Sequence, residues 1–329
     1  MRVFLWIVGI LAALIALAFL TLGDPDVPRD VLVKKYGQPP SQYIELPSGT
    51  TGHYRDQGQP QGPPLVLLHG SNASLHTWEP WVKILGDEFR IVTVDLPGHG
   101  LTIAREGETF TAESMANFVD EFTTTIGLSR FAVAGNSMGG HVASRVAMQF
   151  PTRVSALIPI DAGGVIPPNM PPPPAFFYIV QIPVLREFLR LVPTRPVNEE
   201  VLKMSFVNQH LVTPEMIDRS WELNREPSNR AATRKRFRMP LEYWTAEDRF
   251  FRENLPKLPV PTLILWGRQD KLIPVEAAEI FKAAIPGAQA IIYDDGGHIL
   301  QEDLPERSAA DVRAFLKAAM AVLPVAVSP

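Results

Sequence analysis

A serine between glycines is the group in this chain best placed by its neighbours to make and break bonds. It stands in Gly135-Asn136-Ser137-Met138-Gly139-Gly140, directly after the apolar run Phe131-Ala132-Val133-Ala134. That order predicts a buried strand, a tight G-x-S-x-G turn and the start of a helix. Such a corner holds the Ser137 hydroxyl at a sharp, strained bend, where it can attack a carbonyl instead of sitting in water. Gly135 and Gly139 carry no side chain to clash there. Ser137 then lies at a helix N-terminus, whose free N–H groups favour negative charge. The Met138 N–H is placed to meet an oxyanion forming on a substrate. Val142, Ala143, Val146 and Ala147 continue with helical spacing, so the turn has the strand before it and the helix after it that the chemistry demands.

A serine hydroxyl needs a base, and the base needs an acid to orient it. Seven histidines are present. A serine on a strand-to-helix corner takes its acid and then its histidine from later in the chain. His141 is one helical turn past Ser137 and would face along the helix, which leaves His210 and His298. His298 follows the strand-like Ile291-Ile292-Tyr293 and sits in the loop Asp294-Asp295-Gly296-Gly297-His298, which can project a ring over a sheet edge. His210 lies in a polar, helix-like segment. His298 is therefore the expected base. Two acids end buried strands: Asp270, after Thr262-Leu263-Ile264-Leu265-Trp266-Gly267, and Asp161, after Ala156-Leu157-Ile158-Pro159-Ile160. Asp270 is favoured and Asp161 stays as its rival; Asp294, Asp295 and Asp303 are too near His298 in sequence to meet its ring from the far side. A second oxyanion donor is expected from the loop after Leu65-Val66-Leu67-Leu68-His69-Gly70, at the Ser71 N–H or its neighbour Asn72. His69 is expected to brace that loop.

These groups must be carried on a common frame. Tyr43 to Leu46 and Thr51 to Arg55 suggest an opening hairpin around Pro47-Ser48-Gly49. Short apolar runs then alternate with helical ones. Strands are expected at 65–68, 90–94, 131–134, 156–160, 262–266 and 288–293, with helices such as 114–126 and 308–322 between and after them. This alternation predicts a mostly parallel sheet covered on both faces, with its site beyond the strand C-termini. From 165 to 255 the strand period vanishes. A proline-rich entry at 167–174 leads to expected helices at 176–191, 196–210, 214–225 and 231–238, read as a helical insertion over the pocket. The run Arg234, Lys235, Arg236, Arg238 reads as a solvated face of that insertion.

With these residues assembled, the chain resembles the α/β-hydrolase superfamily, in particular its serine esterase and lipase-like members with a helical lid. The resemblance rests on Leu67-Leu68-His69-Gly70-Ser71, Val94-Asp95-Leu96-Pro97-Gly98-His99-Gly100, Gly135-Asn136-Ser137-Met138-Gly139-Gly140, Trp266-Gly267-Arg268-Gln269-Asp270 and Gly297-His298, spread from about residue 50 to the C-terminus. It implies a triad of Ser137, Asp270 and His298, with Ser71 and Met138 as oxyanion donors and Asp95 to Gly100 as a structural loop. Related dehalogenases and epoxide hydrolases carry a carboxylate where this chain has Ser137, so acyl transfer through a serine ester is the expected reaction. Two alternatives stand beside it. One is hydrolysis of a carbon–carbon bond in a vinylogous diketone acid, with Arg186 or Arg190 holding the carboxylate. The other is a non-catalytic, membrane-tethered binding module.

The chain has 329 residues, 46% of them hydrophobic and 20% charged, ample for one large core plus an insertion. A net charge of −4 does not point to a nucleic-acid partner. With no cysteine, disulfides, thiolate metal sites and cysteine catalysis are excluded. No histidine pair has metal-ligand spacing, no cofactor is expected, and no obligate protein partner is inferred. Val3 to Leu22 is apolar almost throughout, and about 20 residues at about 1.5 Å each would cross a bilayer core. The expected organisation is a transmembrane signal anchor at 1–23, a linker at 24–40, hydrolase core at 41–164 and 256–329, and a helical lid at 165–255. The catalytic domain is expected to be membrane-anchored and extracytoplasmic.

Overall fold

A computed structural model describes residues 24–170 and 194–322, together with Trp6, Gly9 and Ala13. Along the chain run α1 (Arg29–Tyr36), β1 (Gln42–Glu45), β2 (Thr51–Gly58), β3 (Pro64–Leu68), α2 (Glu79–Leu85), β4 (Arg90–Val94), α3 (Ala112–Thr125), β5 (Phe131–Asn136), α4 (Met138–Gln149) and β6 (Val154–Ile160). The described helices that follow β6 are α5 (Thr194–Met204), α6 (Pro214–Leu223), α7 (Pro227–Phe237) and α8 (Leu241–Asn254). The chain then returns to the sheet with β7 (Leu263–Gly267), α9 (Glu276–Ala284), β8 (Gln289–Tyr293), α10 (Leu300–Asp303) and α11 (Pro305–Val322).

The strands form one sheet in the order β1-β2-β4-β3-β5-β6-β7-β8. β1 and β2 make the opening hairpin, β2 runs antiparallel to β4, and every later pairing is parallel. The expected α/β sheet is therefore present. Alternate residues of each central strand feed opposite faces, the signature of a sheet buried on both sides. Val66, Leu68, Val133, Leu157, Ile264 and Trp266 pack with α3, α4 and α9, whereas Leu65, Leu67, Ala134, Ile158, Leu263 and Leu265 pack with Trp81, Val312 and Leu316 of α2 and α11. Register then aligns the strand ends: Leu68 faces Gly135, Asn136 faces Ile160, Ile160 faces Leu265 and Gly267 faces Tyr293. The loops that follow these residues all leave from one edge.

The helices of the insertion start where local chemistry tells them to. Thr213 accepts the Met216 N–H ahead of Pro214, and Glu226 accepts the Ser228 and Asn229 N–H groups ahead of Pro227. α8 is not among the helices that apolar spacing predicts. Its buried residues are Glu247 and Phe251, so half of its inward face is polar and the periodicity is weak. The helix expected at 176–191 lies outside the described residues.

Two expectations at the N-terminus are corrected. Among the described residues, no helix is long and apolar enough to cross a membrane. α11, with 18 residues, carries charges along its length at Glu306, Arg307, Asp311, Arg313 and Lys317. The transmembrane signal anchor, and the membrane-anchored, extracytoplasmic placement built on it, are withdrawn on that finding. They rested on apolar length alone; residues 1–23 lie outside the described residues apart from Trp6, Gly9 and Ala13. The stretch expected as a linker also holds structure. α1 buries Leu32 against Leu101 and Leu223, and Lys35 and Tyr36 bond Glu222 of α6 at 2.8 and 2.9 Å. Its flanking prolines suggest a linker, yet they only bracket the helix.

Candidate active site

Ser137 takes φ +56° and ψ −118°, a backbone conformation that costs an ordinary residue about 1–3 kcal/mol. The corner that forces it is held by main-chain bonds. The Ser137 N–H donates to Ile160 O at 2.9 Å, and its carbonyl accepts from His141 N and Gly163 N at 3.0 and 3.1 Å. Strand β5 and helix α4 meet so closely that a β-carbon on Gly135 would stand 2.1 Å from Gly139 O. A β-carbon on Gly139 would stand 2.1 Å from Leu68 O, the last residue of β3. The glycine spacing is thus required by backbone contact on both sides of the serine.

His298 lies in the loop after β8 and is 5% exposed. Its Nδ1 meets Asp270 Oδ2 at 2.7 Å. A carboxylate oxygen only accepts, so Nδ1 carries a proton, and in the neutral ring Nε2 is the nitrogen with the lone pair. Asp270 is itself fixed: its Oδ1 accepts the Leu272 and Ile273 N–H groups at 2.7 and 3.0 Å, an Asx turn at the end of β7. The β7 and β8 ends press together here, since a β-carbon on Gly267 would stand 2.1 Å from Gly297 O. Asn136, immediately before Ser137, donates from Nδ2 to His298 O at 2.7 Å. The serine corner therefore holds the histidine's backbone directly.

Asp161 ends β6 at φ +44° with no exposed surface. It accepts the Gly267 N–H at 2.8 Å through Oδ1, while its Oδ2 is buried without a hydrogen-bond donor. Burial first, and then the neighbouring Asp270 carboxylate, push its pKa well above the ordinary carboxylate range. Of the two acids left open by the sequence, Asp270 meets the imidazole and Asp161 meets the backbone beside it.

Ser71 and Asn72 follow β3. A β-carbon on Gly70 would come within 3.3 Å of Ser137 Cβ, so this loop runs beside the serine. Among the described residues, neither the Ser71 nor the Met138 N–H meets an acceptor. His69 braces the loop with both ring nitrogens: Nδ1–H donates to Gly70 O at 2.8 Å, and Nε2 accepts the Leu96 N–H at 3.0 Å. Burial lowers its pKa, which keeps the ring neutral in that role. Asp95 accepts from His53 Nδ1, Leu75 N and Leu101 N at 2.6, 2.7 and 2.8 Å. Burial alone would raise its carboxyl, but the adjacent histidines and these bonds hold it below the usual range. It organises the loop at 95–101.

The other histidines stand apart. His141 Nε2 pairs with Glu247 of α8 at 2.9 Å, and Arg145 joins the same carboxylate at 3.0 Å. His210 is exposed in a short 3₁₀ turn. Arg186 and Arg190 lie outside the described residues. Among the described residues no cluster of histidine and carboxylate side chains could hold a metal ion.

Sequence reasoning misses several supports. Asp303, set aside as too near His298, accepts Gly297 N at 2.9 Å and also Val207 N and Asn208 N of the insertion at 3.0 and 3.3 Å. The His298 N–H donates to Ser205 O at 2.8 Å. Asn72, at φ +58°, gives its carbonyl to Asn224 Nδ2 at 2.8 Å and Ser220 Oγ at 3.3 Å. Each joins residues more than 90 positions apart or lends a backbone group, so no local spacing announces it; the asparagine inside G-N-S-M-G was the one visible hint.

Comparison with known proteins agrees with this architecture. The alpha/beta hydrolase fold family matches residues 63–305. Monoacylglycerol lipase abhd6-B of Xenopus laevis is 30% identical over 273 residues, covering 80% of this chain and 78% of the relative. A solved bacterial membrane phospholipase A superposes with a TM-score of 0.68 at 25% identity, over 97% of this chain and 99% of that one. A meta-cleavage product hydrolase from Pseudomonas fluorescens shares the fold, with a TM-score of 0.71 at 21% identity over 84% and 98% of the two chains. The chain belongs to the α/β-hydrolase fold family and is a serine hydrolase of that type.

Proposed function

We propose that this protein hydrolyses carboxylic esters through an acyl-enzyme on Ser137. The observation that carries the reading is the Asp270–His298 bond of 2.7 Å, in a loop whose main chain is tied by Asn136 to the strained Ser137 corner. His298 Nε2 takes the Ser137 proton as Oγ attacks the ester carbonyl. Asp270 holds the resulting imidazolium in place. The Ser71 and Met138 N–H groups receive the oxyanion, each donor being worth about 3 kcal/mol in comparable sites. The protonated His298 then gives its proton to the departing alkoxide, and the alcohol leaves. Water, deprotonated by His298, attacks the acyl carbonyl, and collapse of the second oxyanion returns Ser137 Oγ–H and a carboxylic acid.

The helical insertion between β6 and β7 serves as a lid over this site, and its bonds to the Asn72 and His298 loops support that role. Lipid-like monoesters are the substrate class favoured by the relative named monoacylglycerol lipase. Ser137→Ala tests the reading. Turnover of a short p-nitrophenyl ester should fall by about 10⁴-fold or more with the circular dichroism spectrum unchanged; activity within tenfold of the parent would remove Ser137 from the mechanism. A series of 1-monoacylglycerols of increasing chain length would then define the acyl site.

A further inference from the structure

Asp161 is the buried acid that the proposed mechanism does not use. Its Oδ1 has a donor, the Gly267 N–H, and its Oδ2 has none. An ionised carboxylate offers about four lone-pair sites, and burying one against a single amide is strongly unfavourable. A protonated carboxyl fits the same surroundings: Oδ1 accepts from Gly267, and Oδ2–H donates. The acceptor at hand is Asp270, whose own N–H donates at 3.2 Å to the carbonyl of Gly267, the residue whose N–H meets Asp161 Oδ1. The other titratable groups facing Asp161 are Asp303 of α10 and the Tyr293 phenol at the end of β8, and neither brings positive charge. His298 is bonded to Asp270 through Oδ2 at 2.7 Å.

We propose that Asp161 is a positioning residue that keeps its proton and donates it to Asp270, so that the two carboxyls behind His298 share one negative charge. The inference rests on the role given above to Asp270 and His298. The hydrogen bond holds Asp270 in the rotamer that meets Nδ1, alongside the Leu272 and Ile273 amides. It also leaves a single charge to balance the imidazolium, and a second charge would make His298 a stronger base than the acyl-transfer cycle needs. No proton is lost or gained by the pair during turnover.

Asp161→Asn is the diagnostic variant. Its side chain can accept from Gly267 and donate to Asp270, as the neutral acid does. In the resting protein at pH 8, with no substrate, infrared spectroscopy should show a protonated-carboxyl stretch that disappears in Asp161→Asn. Absence of that difference overturns the proposal, whatever becomes of the ester-hydrolase reading. The acidic limb of kcat/KM should lie within about 0.3 pH unit of the parent, whereas loss of an ionised Asp161 would lower it by about one unit or more. Asp161→Ala, which can do neither job, should lose about tenfold in kcat; equal losses in the two variants would also overturn it. Stability gives a third readout. Because burial raises the folded pKa, the contribution of Asp161 is full below the unfolded value of about 3.9 and is lost as pH rises through the folded value. The thermal midpoint of Asp161→Asn should therefore gain on the parent from pH 4 to pH 8, and a constant difference would count against a retained proton. Should Asp161→Ala fail to fold, the Asn variant and the spectrum decide alone.

Discussion

The strand-end loops and the helical insertion meet at the same site, yet they are built on different physics. At the strand ends, positions follow from backbone packing. Gly135, Gly139 and Gly267 stand where a β-carbon would fall about 2.1 Å from a carbonyl oxygen, and Ser137 is locked by three main-chain bonds. The insertion instead reaches the site through a few directional contacts: Asn224 and Ser220 on Asn72, Ser205 on His298, Asp303 across Val207 and Asn208, and Glu247 on His141 and Arg145. Close-packed backbone has almost no alternative arrangement, whereas a helix held by hydrogen bonds can be loosened one bond at a time. The proposed reacting groups thus sit on the close-packed part, and the insertion touches the loops that carry them.

That contrast can be tested from both sides. On the sheet side, Asp270→Asn leaves the packing intact but removes the carboxylate that sets the imidazole tautomer; kcat at neutral pH should fall by about 10⁴-fold. A loss below tenfold would detach Asp270 from the chemistry. Gly139→Ala has no room for its methyl group. Purified variant, assayed by thermal unfolding, should be destabilised by about 1–3 kcal/mol or more and should lose most activity as β3 and α4 are pushed apart; a parent-like midpoint would mean that the corner is softer than its contacts imply.

On the insertion side, effects should be smaller and graded. Asn224→Ala removes the shorter of the two bonds to the Asn72 carbonyl, leaving Ser220 Oγ at 3.3 Å, and slackens the loop carrying Ser71. The expected result is a loss of about tenfold in kcat with little change in KM, since a misplaced oxyanion donor weakens the transition state more than the ground state. A change confined to KM would assign Asn224 to substrate binding. Glu247→Gln weakens the tie between α8 and α4 by about 1–3 kcal/mol and should lower the thermal midpoint, with turnover reduced no more than about threefold. If Glu247→Gln cost as much activity as Asp270→Asn, the division between a rigid site and an adjustable cover would be wrong.

The features readable in advance share one property: they are local. The β5–turn–α4 corner and the alternating apolar runs of β3 to β8 each depend on residues within a few positions of one another. The pairing of two acids with one histidine is a different matter. Asp161 and Asp270 both end buried strands, and only the order of β6, β7 and β8 puts one against the ring and the other against Gly267. Proximity in sequence misled in the case of Asp303, because a short loop lets a nearby acid serve backbone amides instead of a side chain. Apolar length misled at the N-terminus, where hydropathy alone was made to imply a span, and proline content misled at 24–40, where α1 docks on α6.

By itself the amino-acid order determined the sheet, the strained serine corner, and which side chains could pass a proton, because strand period, glycine spacing and residue chemistry act over short stretches of chain. Tertiary structure alone decided that Asp270 faces His298, that Asp161 is enclosed with one oxygen lacking a donor, and that Asn72 and the His298 loop are fastened to the insertion. Those outcomes depend on strand register and on contacts between residues far apart in the chain, where burial and hydrogen bonding are settled only after the layers have packed.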